Sequence, residues 1–176
     1  MNVDWSPLTR ELAVWRSERL QLPLWWRDDD AVSGTPALER LGSIAADLGM
    51  PVYVAALPDL VDATLAPAID AQPCIIPVVH GWRHISHAPD GAKNAEFGHP
   101  RAGAAQELEG ALKHLRGVFS DKLVPLFVPP WNRIDDSFLP VLQAVGYGGI
   151  STYGARKSAM PTSGLVQINT HVDPIF

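Results

Sequence analysis

Three consecutive acids, Asp28-Asp29-Asp30, are the first feature of this 176-residue chain that asks for chemistry. Neighbouring carboxylates raise one another's cost of ionisation, so the run is unfavourable unless a cation or hydrogen-bond donors compensate it. A divalent metal ion would do so, with one carboxylate as ligand and a neighbour left free as general base. The second feature is His80-Gly81-Trp82-Arg83-His84. Two histidines four residues apart share one face of a helical turn, so both imidazoles can reach one ion. His87 continues that face and is a further ligand candidate or a group behind the ligands. Joined to an aspartate, the pair makes a His₂-Asp set suited to zinc, or to cobalt or nickel, with positions left for water.

Two more motifs complete the set. Pro129-Pro130 makes a stiff bend whose next backbone donor is the Trp131 N–H, a fixed group of the kind that stabilises an oxyanion. His171, with Asp173 two residues on, has the composition of a general acid tuned by a carboxylate. His99, His114 and Cys74 read as structural or solvent-facing.

The elements that must position these groups alternate along the chain. Helical patterns are expected from Ser6-Pro7, from Thr35-Pro36 to Gly49, more weakly from Asp59 to about Ala71, from Arg101 to Phe119, and from Asp135 to Val145. Strands are expected at Leu22 to Trp26, Pro51 to Leu57, Cys74 to Val79, Leu123 to Val128, Tyr147 to Thr152 and Leu165 to Thr170. Gly81 to Pro100 reads as a long polar loop. Alternation of this kind predicts an α/β fold with a largely parallel sheet, either a barrel or a doubly wound sheet. Every reactive motif then follows a strand, so all of them fall at the carboxyl end of the sheet, where such folds place their sites.

Composition narrows the function classes. The net charge is −5, and no cationic run is interleaved with aromatics, which argues against a nucleic-acid partner. No window has the apolar length of a signal peptide or a membrane span, and the single cysteine suits a reducing compartment, so a cytoplasmic protein without a membrane partner is expected. No linker divides the chain, so residues 1–176 are expected to form one domain.

The order of an acidic run, His-x-x-x-His, a Pro-aromatic turn and a late histidine resembles the polysaccharide deacetylase superfamily, the NodB-homology or carbohydrate esterase family 4 group. The resemblance runs from about residue 22 to 176. It implies a distorted, incomplete (β/α) barrel with a mainly parallel sheet, and hydrolysis of an acyl group, above all acetyl, on a sugar. It assigns Asp29 as general base, Asp30, His80 and His84 as ligands of one divalent ion, and His171 as catalytic histidine. Pro130-Trp131 matches the Pro-aromatic motif, and a register one residue earlier, on Asp28 and Asp29, stays open. Trp82, Pro130 and Arg133 are the substrate-binding candidates, with His87, Asp28 and Asp173 behind them. The chain departs from the pattern where Val128 replaces the family's arginine, with Arg133 as the candidate substitute, and where the segment around His171 reads Asn169-Thr170-His171-Val172-Asp173. It also ends soon after His171, leaving little length for a closing helix. Two alternatives accompany this reading: hydrolysis of a non-sugar amide, and a metal-retaining carbohydrate-binding module without turnover.

Overall fold

The computed structural model of the chain describes residues 3–21 and 23–173. Six strands, β1 (Arg27–Ala31), β2 (Val52–Ala56), β3 (Ile75–His80), β4 (Leu126–Val128), β5 (Gly149–Ile150) and β6 (Val166–Gln167), pair in parallel and in strict sequence order. Among the described residues the α-helices are α1 (Ser6–Ser17), α2 (Pro36–Leu48), α3 (Leu65–Asp70), α4 (Ala104–Phe119) and α5 (Leu139–Val145). Sequential order is barrel order, since a doubly wound sheet reverses direction at a switch point.

The curvature of the sheet follows from one side chain. Arg27 of β1 donates from Nη1 to Ser151 O at 3.2 Å and to Ser151 Oγ at 2.7 Å, just beyond β5. In a flat sheet those strands would lie about 19 Å apart, beyond the reach of an arginine. The sheet therefore curls into an incomplete barrel, with Arg27 spanning its interior.

Register separates the two faces. Val52, Val54, Ala56, Ile75, Val79, Phe127 and Ile150 point outward and pack beneath the helices with Leu38, Leu65, Ile69, Leu108, Leu112, Leu115 and Leu142. Ala55, Val78, Leu126 and Val128 form a second cluster with Trp25 and Tyr53, which fills the barrel interior. Two helix ends are well specified. Thr35 Oγ1 accepts from the Leu38 N–H at 3.1 Å, and Gly49 closes α2 in the left-handed conformation at φ 60°. No helix among the described residues is long and apolar enough to cross a membrane.

Several element expectations need correction. The first strand is not Leu22 to Trp26; it is Arg27–Ala31, the charged run itself, and Leu22 lies outside the described residues. Trp25 and Trp26 are apolar because they pack at the barrel's foot and against the outer core. The segment from Asp59 becomes helical only at Leu65, and α4 begins at Ala104 rather than Arg101. Asp135 caps a 3₁₀ turn, Asp136–Phe138, through the Ser137 N–H, and the α-helix starts after it. Strands β5 and β6 keep only two residues each. Helix α1 forms where expected but buries none of its residues; Leu8 and Leu12 are 50% and 41% exposed.

Candidate metal centre

The position of Asp30 depends on a fault in the sheet. Asp28 pairs with Val54 and Ala31 with Ala56, so three steps on β1 match two on β2. The extra residue is a bulge, which bends a strand and re-aims a side chain. Asp30 takes φ 68°, a left-handed conformation that aspartate tolerates better than most residues. A regular strand would alternate Asp29 inward and Asp30 outward. With the bulge, Asp29 and Asp30 both serve the mouth of the barrel.

His80 ends β3 on the inner face, and its side chain is 2% exposed. Its Nδ1–H donates to the Val128 carbonyl at 3.0 Å, which leaves the Nε2 lone pair free in the neutral ring. That lone pair faces Asp30 Oδ1 at 3.1 Å, and His84 Nε2 lies 3.5 Å from the same oxygen. Acceptors so close need a positive species between them, either a proton or a cation. A tetrahedral ion at 2.0–2.1 Å would separate its donor atoms by about 3.3 Å, close to both distances. One donor atom from each of Asp30, His80 and His84 lies within 4.8 Å of the other two. The residues therefore fit a divalent metal. The Asp30 carboxyl sits below its ordinary range, chiefly through its hydrogen bond with His80 and, against some desolvation, through the charges of His80 and His84. Its side chain is 62% exposed, so the trio opens to solvent on that side.

His-x-x-x-His meets here, although not on a helical turn. Residues 81–88 form an irregular loop in which Gly81 has φ 52° and His84 φ 58°. His87, expected to continue a helical face, is exposed and donates its backbone N–H to Ala95 O. The bend at Gly81 brings the backbone against the Pro-aromatic turn. A β-carbon there would fall on Glu96 Oε2 and within 2.5 Å of Pro130 Cδ and Cγ. Gly81→Ala combines this clash with a strained φ and is expected to cost about 3 kcal/mol, read as a lowered urea midpoint.

Arg27 organises the second aspartate. Its side chain, 4% exposed, places Nε 2.8 Å from Asp29 Oδ1 and donates from Nη2 to Asp29 Oδ2 at 3.0 Å. The same Nη2 donates to Asn132 Oδ1 at 2.7 Å. Arg27 thus ties Asp29, the end of β5 and the Pro-aromatic turn together. Arg133, the candidate substitute for the family's arginine, points elsewhere and donates to Asn94 O at 2.8 Å. Arg27 was not among the residues singled out from sequence, because partners more than 100 residues away give it its place.

Asp28 is in a different position. Desolvation first, then Asp29 and Asp30, push its carboxyl above the ordinary 3.8. A carboxyl raised in the folded state costs stability once charged; the cost is absent below the unfolded value and appears as pH rises through the folded one. Asp28→Asn should therefore stabilise the metal-free protein at pH 7. The gain should vanish below about pH 3.8 in paired urea titrations.

The turn after β4 is strained in the same way as Asp30. Among the described residues, six non-glycines have positive φ, and four of them are Asp30, His84, Trp131 and Asn132. Strain of this kind persists where surrounding structure over-determines it, and it concentrates at functional sites. Trp131, at φ 54°, lays its ring 4.1 Å from that of His84. Its backbone N–H makes no hydrogen bond within the chain among the described residues. Trp82 packs its ring beside Gly110 of α4 and against the outer core. Pro130 is buried against Gly81. His171 is exposed just past a bridge between Tyr153 and Thr170, and it makes no ion pair with the trio. Asp173 is half-buried two residues further on.

No family model and no curated protein matches the sequence. Solved structures do match the fold. A de-N-acetylase from Aggregatibacter actinomycetemcomitans superposes with a TM-score of 0.59 at 11% identity, covering 90% of this chain and 74% of its own. The BpsB deacetylase domain from Bordetella bronchiseptica gives 0.58 at 15%, covering 93% and 76%. The Streptococcus pyogenes deacetylase PplD, solved in complex with acetate, gives 0.56 at 14%, covering 92% and 72%. The parallel, sequentially ordered, incompletely closed barrel of this chain is thus the fold of these deacetylases.

Proposed function

We propose that this chain is a divergent, single-domain member of the polysaccharide deacetylase superfamily and a metal-dependent hydrolase of acyl groups, acetyl above all, on a sugar or related N-acyl compound. The observation that carries the reading is the convergence of His80 Nε2 and His84 Nε2 on Asp30 Oδ1, at 3.1 and 3.5 Å, at the mouth of a fold shared with solved deacetylases. Asp30, His80 and His84 would hold one divalent ion, zinc first, cobalt or nickel otherwise. Such an ion acidifies water and polarises a carbonyl. Asp29, held by Arg27, takes the proton from the attacking water. The Trp131 N–H donates to the oxyanion of the tetrahedral intermediate. His171 protonates the departing nitrogen or oxygen. In this reading the half-buried Trp131 ring, 4.1 Å from that of His84, contacts the substrate, and Arg133, which donates to Asn94 O, stays a candidate for its far side. The lone cysteine, Cys74, keeps a cytoplasmic location as our expectation.

One observation favours a smaller substrate. Trp82 is committed to α4, which removes one of the two aromatic platforms a sugar ring could stack on. A non-sugar amide is therefore the second reading.

The test is to strip the protein with a chelator, reload it with zinc, cobalt or nickel, and measure acetate released from N-acetylated sugars and from small acetamides. Turnover of the sugars supports the first reading, and turnover of the amides alone supports the second. Stoichiometric metal with sugar binding and no turnover would leave a binding module.

A further inference from the structure

We propose that Glu96 is the positioning residue for His84, setting the loop that carries this donor before any ion arrives. The proposal rests on the reading of Asp30, His80 and His84 as a metal site. Glu96 lies in the long segment after β3, beyond the last motif residue His87, yet it is 1% exposed. Its two oxygens are divided between consecutive amides. Oε2 accepts from the Trp82 N–H at 3.0 Å and Oε1 from the Arg83 N–H at 2.7 Å. No lysine or arginine pairs with it among the described residues. A buried carboxylate without a cation is costly, and an apolar side chain would fill the same space more cheaply. Its retention calls for an explanation, and the two amide bonds supply one: charge-assisted hydrogen bonds are about twice as strong as neutral ones.

What these bonds constrain is the backbone around His84. Between Gly81 at φ 52° and His84 at φ 58° the chain turns through the left-handed region twice, and for histidine that conformation is unfavourable by itself. Glu96 fixes residues 82 and 83 on one side. Ala95 fixes the other: its carbonyl accepts from the His87 N–H at 2.9 Å, and its N–H donates to Ser86 Oγ at 3.2 Å. The same short segment continues to Phe97, whose carbonyl accepts from the Asp135 N–H at 2.8 Å and which bridges to Ile134. Residues 95–97, all buried, thus form a clip joining the His84 loop to the chain after Trp131. The charged member of the clip holds the two residues immediately before the metal donor.

The test titrates metal-free protein with Co²⁺ and follows its visible d–d bands, which report coordination number without requiring turnover. Glu96→Gln keeps the shape but loses the charge and one acceptor. It is expected to weaken Co²⁺ binding by about 10–100-fold and to alter the d–d intensity as His84 leaves the ion. Asp59→Ala frees the Arg83 side chain, whose Nε lies 2.8 Å from Asp59 Oδ2, without touching the amides, and should leave affinity and spectrum within about twofold. Wild-type affinity and spectrum in Glu96→Gln would overturn the proposal. Should that variant not fold, hydrogen exchange on the wild type decides. The Trp82 and Arg83 amides must be protected in the metal-free chain, and rapid exchange there overturns the proposal. If the wild type takes up no Co²⁺, the metal reading fails instead, whatever the exchange shows.

Discussion

Asp29→Asn is expected to lower kcat by about 10²–10⁴ while the protein keeps its metal, and Asp30→Asn is expected to lose the metal outright. The two residues are adjacent and of the same type, and each substitution makes the same change, so the contrast tests geometry rather than composition. Asp30 is the bulged residue, aimed at His80 and His84 at 3.1 and 3.5 Å. Asp29 is held by the Arg27 guanidinium instead, which orients its carboxylate in the mouth of the barrel. A general base needs a proton acceptor at that place, and an amide is not one. Elemental analysis gives the metal content. Hydrolysis of p-nitrophenyl acetate by the reloaded protein gives the rate. The reverse pattern, metal lost in Asp29→Asn and kept in Asp30→Asn, would move the ligand one residue back and sink the assignment.

The parts of this site legible in the sequence are those fixed by strand ends. His80 directly follows a run of β-branched residues, and Pro129-Pro130 must end β4, so their place at the carboxyl mouth follows from topology alone. The Thr35 cap and the Gly49 stop of α2 were equally local. What could not be read depends on distant partners. The run Arg27–Ala31 looks unlike a strand because its inward side chains are charged, and beyond Asp29 the groups that satisfy Arg27 there, Ser151 and Asn132, are distant in sequence. The bulge that turns Asp30 toward the histidines is a mismatch between β1 and β2, visible only once they pair. A four-residue histidine spacing fits a helical turn and the loop at Gly81 equally well, so the two histidines meet, but on a loop rather than on the expected helical turn. Glu96 had no signal at all: one acid in a polar stretch becomes a buried clamp only after the loop folds over it.

The second large effect concerns His171, an exposed site candidate. An amide nitrogen is a poor leaving group unless protonated, whereas p-nitrophenolate departs without help. If His171 is the general acid, His171→Ala should cut acetamide or N-acetyl sugar turnover by about 10²–10⁴ and leave p-nitrophenyl acetate hydrolysis nearly unchanged. No other assigned role gives that pattern. Loss of metal or of Asp29 depresses both reactions, because both need the same attacking water. Loss of a substrate contact raises KM for the sugar without lowering kcat. The geometry makes the outcome sharp. His171 shares no ion pair with Asp30, His80 or His84, so its removal has no direct path to the metal. It follows the Tyr153–Thr170 bridge, which anchors the chain after β6 independently of the histidine ring, so the substitution should not unfold the segment. Equal losses on ester and amide would show that His171 acts through the water or the metal. An unchanged amide rate would remove it from the reaction and leave protonation of the leaving group to another residue at the mouth.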